Sequence, residues 1–362
     1  MNEPFILILG ARAPIALELA RSFHQRGCTV ILADSLRFPV SRFTNTIQRY
    51  ERLPKVRRDA QSYITAVSAL IERYQIDHLI PTCEEAFYVA QFKEHWKCKV
   101  WTPDIALMDA LHNKETFASE FSKFLNIPET ISAETFSDWS HSKDFVFKPK
   151  YSRFGSRTII NKSITAQQFS EPQKWIAQKK VVGKEVCVYS IWNDGTLTGY
   201  SCYSPTFRAG MGSGIFFEPV DHPQIKEQVQ RFGEAIRFTG QLSFDVMVSG
   251  DAIWLLECNP RGMSGAHLLN DQLANCFLGT GEKESDKSGC YKLSSVMWFT
   301  HPLKCFTKKV RKATDVVFRI NDPLPALLQW LSVLELVFIK FSKGISLLET
   351  TTFDIEWNGH ED

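Results

Sequence analysis

The sequence predicts a multidomain chain, α/β at its N-terminus and α+β beyond. A parallel, doubly wound domain precedes a two-lobed body and a C-terminal extension. Three observations predict this. The chain opens strand, helix, strand; an apolar strand ending in a lysine is followed by a glycine crossover into alternating strands; and two alternating runs fold back around Ser249-Gly250-Asp251. At 362 residues the chain has room for roughly two to three domains, and an apolar fraction of 44% supplies their cores.

Composition excludes several functions. The 42 Lys and Arg nearly cancel the 40 Asp and Glu, so no nucleic-acid partner is expected. Nine cysteines without a C-x-x-C pair predict reduced thiols and a cytoplasmic protein. The first apolar run, Phe5–Leu9, is too short for a signal-peptide core. Residues 324–339 are interrupted by Pro325, Gln329 and Glu335 and fall short of the ~20 apolar residues of a span. They read as a buried or amphipathic helix, with an interfacial membrane helix as the rival, and no transmembrane segment is expected. Residues 279–289 read as an exposed linker.

In the opening unit, Phe5–Leu9 ends in Gly10. Ala16, Leu17, Leu19, Ala20 and Phe23 then recur at helical spacing before Gly27 and a second run at 30–33. Asp34 occupies the position of the ribose-binding acid of dinucleotide enzymes, but the turn at 10–15 lacks the second and third glycines of G-x-G-x-x-G, so no NAD site is predicted. A helix over Ala60–Tyr74 leads to a strand at 76–81. The Glu84-Glu85 pair after it either faces a substrate cleft or supplies acids to a helix N-terminus.

Lys114 follows Asn113 at the start of a helix that carries Phe117, Phe121, Phe124 and Leu125 on one face. A cation in the first turn opposes the helix dipole, so either an anionic ligand offsets the cost or the lysine is a solvated surface group. Residues 145–149 form a strand that delivers Lys148 beside the loop 151–156, with another strand at 158–160. A lysine next to a small polar loop suits phosphate. The order strand, Gly183, Glu185, strand reads as a hinge between lobes or as an ordinary edge connection.

The hairpin is the most informative stretch. Folding about residues 250–252 brings Asp245 opposite Glu257, and the period of two puts Asn259 on the same face. Facing carboxylates about 5 Å apart repel unless a hard cation neutralises them. An all-oxygen donor set points to Mg²⁺ or Mn²⁺ rather than zinc, the alternative being a solvent-facing acidic hairpin.

In their order these segments resemble the ATP-grasp superfamily of ATP-dependent carboxylate ligases. The resemblance covers about residues 1–270 and rests above all on Glu257-Cys258-Asn259-Pro260-Arg261 downstream of Phe244-Asp245. It implies a Rossmann-like domain at 1–105, a lid or central lobe at 106–182, a metal-binding lobe at 183–280, and a C-terminal subdomain at 290–362 that packs on the core or forms a homodimer contact. By position it implies ATP as cofactor. Lys114 and Lys148 would hold its phosphates, and the loop with Ser152, Gly155 and Ser156 would close over them. Gln178 and the backbone of Lys179 and Val181 would meet adenine, with Glu185 on the ribose. Asp245, Glu257 and Asn259 would ligate the metal ions. Two departures stand out: Gln178 replaces an acid that many relatives carry, and the phosphate loop has a single glycine beside Arg153 and Phe154.

The implied reaction activates a small-molecule carboxylate as an acyl phosphate and couples it to an amine. A thiol or other nucleophile as acceptor, or a silent nucleotide-binding protein, are the alternatives. Arg261 is assigned to stabilising the transferring phosphoryl group or the oxyanion, and Arg208 to clamping a substrate carboxylate or to a surface strand. Ser264 and His267 follow the signature near the acceptor pocket, His267 reading as a structural histidine.

Overall fold

Alternate residues of the first strand serve two cores, which is why one short run of apolar residues suffices to seed a layered domain. The computed structural model describes every residue except 1, 2, 154, 156, 211, 280–282, 285–288 and 360–362. Strands β1 (Phe5–Leu9), β2 (Thr29–Asp34), β3 (Arg49–Arg52), β4 (His78–Ile80) and β5 (Lys99–Val100) form a parallel sheet in the order β3-β2-β1-β4-β5. Ile6, Ile8, Val30 and Leu32 pack against helix α1 (Pro14–Gln25), whereas Leu7, Leu9, Ile31 and Ala33 pack against α2 (Ala60–Tyr74). Pro14 starts α1 where its missing N–H costs nothing, and the Asp59 carboxylate caps α2 by accepting from the Ser62 amide at 2.9 Å.

Helix α3 (Glu85–Phe92) returns to β5, and helices α4 (Ile105–His112) and α5 (Lys114–Phe121) follow. Leu111, Phe117 and Phe121 from these last two share a core with Val186, Val188 and Phe244 of the large sheet. Strands β6 (Thr130–Ser132), β7 (Phe145–Pro149) and β8 (Trp175–Lys179) form a small antiparallel sheet, order β6-β8-β7, over Phe136, Phe147 and Phe169. The strand expected at 158–160 is reduced to one bridge, Ile159 to Phe147. Arg157 and Asn161 on either side have φ of +61° and +58°, which ends an extended run.

The large sheet is built from β9 (Lys184–Asn193), β10 (Thr196–Ala209), β11 (Ser213–Pro219), β12 (Gly240–Ser249) and β13 (Ala252–Asn259), in the order β13-β12-β9-β10-β11. The short β14 (Lys283–Glu284) pairs with β10, while β15 (Tyr291–Lys292) and β16 (Thr314–Asp315) extend the edge beyond β11. Helix α6 (Pro223–Ala235) covers one face through Ile225, Val229 and Phe232. On the other, α7 (Leu273–Leu278) fills the gap to α1. Apart from β14, the expected linker at 279–289 lies mostly outside the described residues.

Gly183 lies between β8 of the small sheet and β9 of the large one. A Cβ there would sit 2.2 Å from the Val248 carbonyl oxygen, so only glycine lets the chain pass.

The extension comprises α8 (Ser294–Thr300), α9 (Lys308–Lys312) and α10 (Leu324–Lys343). The expectation for the last is corrected in one respect and narrowed in another. Its most apolar 18-residue window has a mean hydropathy of 1.6, so the 20-residue helix is long and apolar enough to cross a membrane by length and composition. It is also not a buried helix, because only Pro325 and Ile339 are enclosed. It touches the rest of the chain along one edge, where Glu335 accepts from the amides of Arg37 and Phe38 at 2.7 Å each. Beyond α10 the chain runs back to the N-terminal domain, with Trp357 stacked on Phe87 at 5.7 Å.

Candidate active site

Strands β12 and β13 turn at Gly250-Asp251, with Gly250 at φ +59°, and pair regularly from Ser249 and Ala252 to Val246 and Leu255. The next pair is Asp245 with Glu257, so Leu256 is an extra residue, a β-bulge. Two consequences follow from one residue. The two carboxylates project from the same face of neighbouring strands, and the Leu256 carbonyl faces side chains of the small sheet. Lys148 Nζ at the end of β7 lies 3.5 Å from that oxygen, and Gln178 Nε2 on β8 donates to it at 3.2 Å.

Both lysines singled out in the sequence converge on Glu257, whose Oε2 lies 3.4 Å from Lys114 Nζ and 3.7 Å from Lys148 Nζ. Lys114 is 4% exposed, which removes the reading of a solvated surface lysine. Its ammonium also points at the Ser152 carbonyl oxygen, 3.5 Å away, so the loop stem is held against the first turn of α5. Asn113 caps that helix, its Oδ1 accepting from Glu115 and Thr116.

The electrostatics are those of an acid pair with one partner too few. Burial and the neighbouring Glu257 push the Asp245 carboxyl up to about 8. Burial opposes ionisation of Glu257 too, but Lys114 and Lys148 outweigh it and hold that carboxyl well below the usual range. Burial likewise lowers Lys148, against the pull of Glu257. The Cys187 thiol donates to Asp245 Oδ1 at 3.3 Å, and donor atoms of Glu185, Cys187 and Asp245 all lie within 4.8 Å of one another. Asn259 is buried opposite Ser243, and its Oδ1 accepts from Arg261 Nη2 at 3.3 Å.

Other expected residues are placed less directly. Glu185 and Arg208, read separately as ribose and substrate ligands, form an ion pair with each other, and Arg208 Nη1 also donates to the Gly212 carbonyl at 2.7 Å. Gly155 is exposed with φ +63°, and a Cβ there would lie 3.7 Å from the Gly212 Cα, so the two glycine loops approach. Ser156 lies outside the described residues. Lys179 is exposed with its ammonium 4.8 Å over the Phe145 ring, away from the acid pair, while its amide donates to the Glu129 carbonyl at 2.7 Å. Val181 is half-buried in the crossover to β9. His267 is structural, its Nδ1 lying 3.0 Å from buried Glu18.

Sequence reasoning named Glu84 but missed the second buried cluster that it centres. Glu84 accepts from Arg153 Nε at 2.7 Å and from the Trp357 amide at 3.0 Å, and it lies 3.9 Å from Arg261 Nε. Burial opposes its ionisation, yet Arg153 brings the carboxyl down to about 2. Arg153 is itself secured by Asn358 Oδ1 at 2.7 Å and by the Trp357 carbonyl. The C-terminal segment thus fastens the stem of the loop at 151–156 to the N-terminal domain through Arg153. Glu85 is the helix-start acid, accepting from the Thr82 and Cys83 amides at 2.9 and 3.0 Å. The absence of a predicted NAD site has a physical basis as well: Arg12 binds Asp34 Oδ1 at 2.6 Å and Asp354 Oδ1 at 2.6 Å, sealing the acid a ribose would need.

No family model matches the sequence, and no curated protein matches it. Solved structures do resemble the fold. The N5-carboxyaminoimidazole synthetase of Staphylococcus aureus, complexed with ADP, gives a TM-score of 0.63 at 16% identity over 80% of this chain and 82% of that one. A biotin carboxylase β,γ-ATP complex from Campylobacter jejuni gives 0.61 at 14% identity over 79% and 74%. The L-amino acid ligase of Bacillus licheniformis gives 0.58 at 13% identity over 75% and 70%.

Proposed function

Because the chain has the ATP-grasp fold, we propose that it is an ATP-dependent ligase. It would activate a small-molecule carboxylate as an acyl phosphate and pass it to an amine, releasing ADP and phosphate. The observation that carries this reading is Asp245 facing Glu257 with two buried lysines converging on the pair. A buried acid that its ionised neighbour forces toward protonation fits a divalent cation, and the oxygen donors of Asp245, Glu257 and Asn259 suit Mg²⁺ or Mn²⁺. Such an ion, bound with the triphosphate, supplies neutralisation of the charge that phosphoryl transfer spreads over oxygen.

The chain's own residues then position and neutralise. Lys114 at the start of α5 and Lys148 at the end of β7 reach phosphate oxygens, and the loop with Ser152, Gly155 and Ser156 closes over them. Gln178 spends its N–H groups on Leu256 and Thr130, so its carbonyl oxygen is the group that accepts from the adenine amino group. The backbone of Lys179 and Val181 borders that base. Glu185 binds the ribose once Arg208 turns from it toward a substrate carboxylate, and Arg261, oriented by Asn259 and Glu84, faces the reacting phosphoryl oxygen. Residues 1–105, 106–182, 183–280 and 290–362 serve as the four working parts.

The test is ADP release across a panel of carboxylates and amines. Release that requires Mg²⁺ together with one acid and one amine, and that Glu257→Gln abolishes without unfolding the chain, supports the ligase. Nucleotide binding without release under every pairing would mean a silent binding protein.

A further inference from the structure

We propose that the C-terminal subdomain docks this chain in the plane of an anionic membrane surface, through the outer flank of α10. Leu324, Leu327, Trp330, Leu334, Phe338 and Phe341 recur at helical spacing and form one stripe. Leu327, Phe338 and Phe341 are 62%, 72% and 78% exposed. At about 1.5 Å per residue this stripe runs along a helix some 30 Å long, far more apolar surface than scattered exposed side chains explain.

The fastening of α10 decides between lying on a bilayer and crossing it. Midway along the helix Glu335 accepts from the Arg37 and Phe38 amides at 2.7 Å, and Ser332 Oγ donates to the Phe38 carbonyl at 2.5 Å. A spanning helix would break these bonds and carry Glu335 into hydrocarbon. With them kept, the opposite flank faces outward along its whole length, the geometry of an interfacial helix.

Charge identifies the surface. Residues 290–343 contain nine Lys and Arg against three Asp and Glu, although the whole chain is only +2. All three acids are turned inward. Asp315 accepts from the Ser294, Val317 and Phe318 amides, Asp322 is paired with Arg21, and Glu335 is held as described. Lys304, Lys308, Arg311, Lys312, Lys340 and Lys343 are exposed, and Phe299 and Leu303 stand out of the same subdomain at 90% and 83%. A second copy would bring like charge against like, and a single convex helix flank offers no groove for a partner helix or strand. Acyl chains closing around the stripe, with acidic headgroups meeting the lysines, satisfy both features.

The experiment is co-sedimentation of the full chain with phosphatidylcholine vesicles made with and without phosphatidylglycerol. Binding is expected to vesicles containing phosphatidylglycerol and to weaken as salt rises. Phe338→Glu with Phe341→Glu, and separately Lys340→Glu with Lys343→Glu, should each lower the vesicle-bound fraction about tenfold or more while leaving the circular dichroism melting curve unchanged. The proposal fails if the chain stays in the supernatant with both vesicles, or if folded variants bind as well as the parent. It fails equally if the chain forms a vesicle-free dimer that the Phe substitutions dissolve. These readouts use no nucleotide, so their outcome is separate from that of the ligase reading.

Discussion

Glu257 stands across from Asp245 because β13 carries one more residue than β12 between the turn and the pair. That residue, Leu256, offers its carbonyl to Lys148 and Gln178 of the other sheet. A single bulge therefore both sets the acid pair and ties the small sheet to the large one.

Asp245 is held in its protonated form at a cost, since its carboxyl is raised to about 8 by burial and by Glu257. The unfolded chain releases that proton near pH 3.9, so the penalty on folding grows from about pH 4 toward about pH 8. Asp245→Asn should thus stabilise the ligand-free chain by about 1 kcal/mol or more, with a larger gain at about pH 8 than at about pH 5. The same variant should lower metal-dependent ADP release by about 100-fold or more. Urea unfolding at the two pH values and a coupled ADP assay check both halves.

Lys148→Met keeps most of the buried stem but removes the charge 3.7 Å from Glu257. A fall in kcat of about 100-fold, with a weaker effect on the melting temperature, is expected. Turnover within a few-fold of the parent would remove Lys148 from the phosphate site.

Glu84 is the reverse of Asp245. Its carboxyl sits at about 2, well below the ordinary value, so it stabilises the fold above about pH 4.5, and this contribution is lost as pH falls toward about 2. Glu84→Gln should cost about 2–3 kcal/mol at neutral pH by leaving buried Arg153 without a counter-charge. The gap between variant and parent should close progressively in acid, as read by denaturant midpoints.

Arg12 serves two buried acids at once, Asp34 and Asp354. Arg12→Ala is expected to destabilise by about 3–5 kcal/mol, since it strands both charges. Calorimetric titration of NAD into the parent chain should give no binding heat, because the acid at the ribose position is already taken.

Much of the machinery was legible because its signals are local. Periodicity of two places Glu257 and Asn259 on one face of β13, and an apolar strand ending in Lys148 beside a polar loop needs no distant partner to be recognised. The Glu84–Arg153–Trp357 cluster was not legible, since its members are separated by up to 273 residues and none belongs to a spaced motif. Whether α10 is buried or amphipathic stayed open for a related reason. Helical periodicity reports that a face is apolar, not whether anything covers it.

The sequence by itself marked Asp245 and Glu257 as hairpin partners and singled out the two lysines, since turn chemistry and side-chain alternation act between near neighbours. The bulge at Leu256 and the order of the strands came with the fold. Only the tertiary structure decided which charges neutralise one another: Glu185 with Arg208, Asp34 with Arg12, Glu84 with Arg153. Coulomb attraction in a low-dielectric interior depends on distance through space, and the fold sets that distance without regard to separation along the chain.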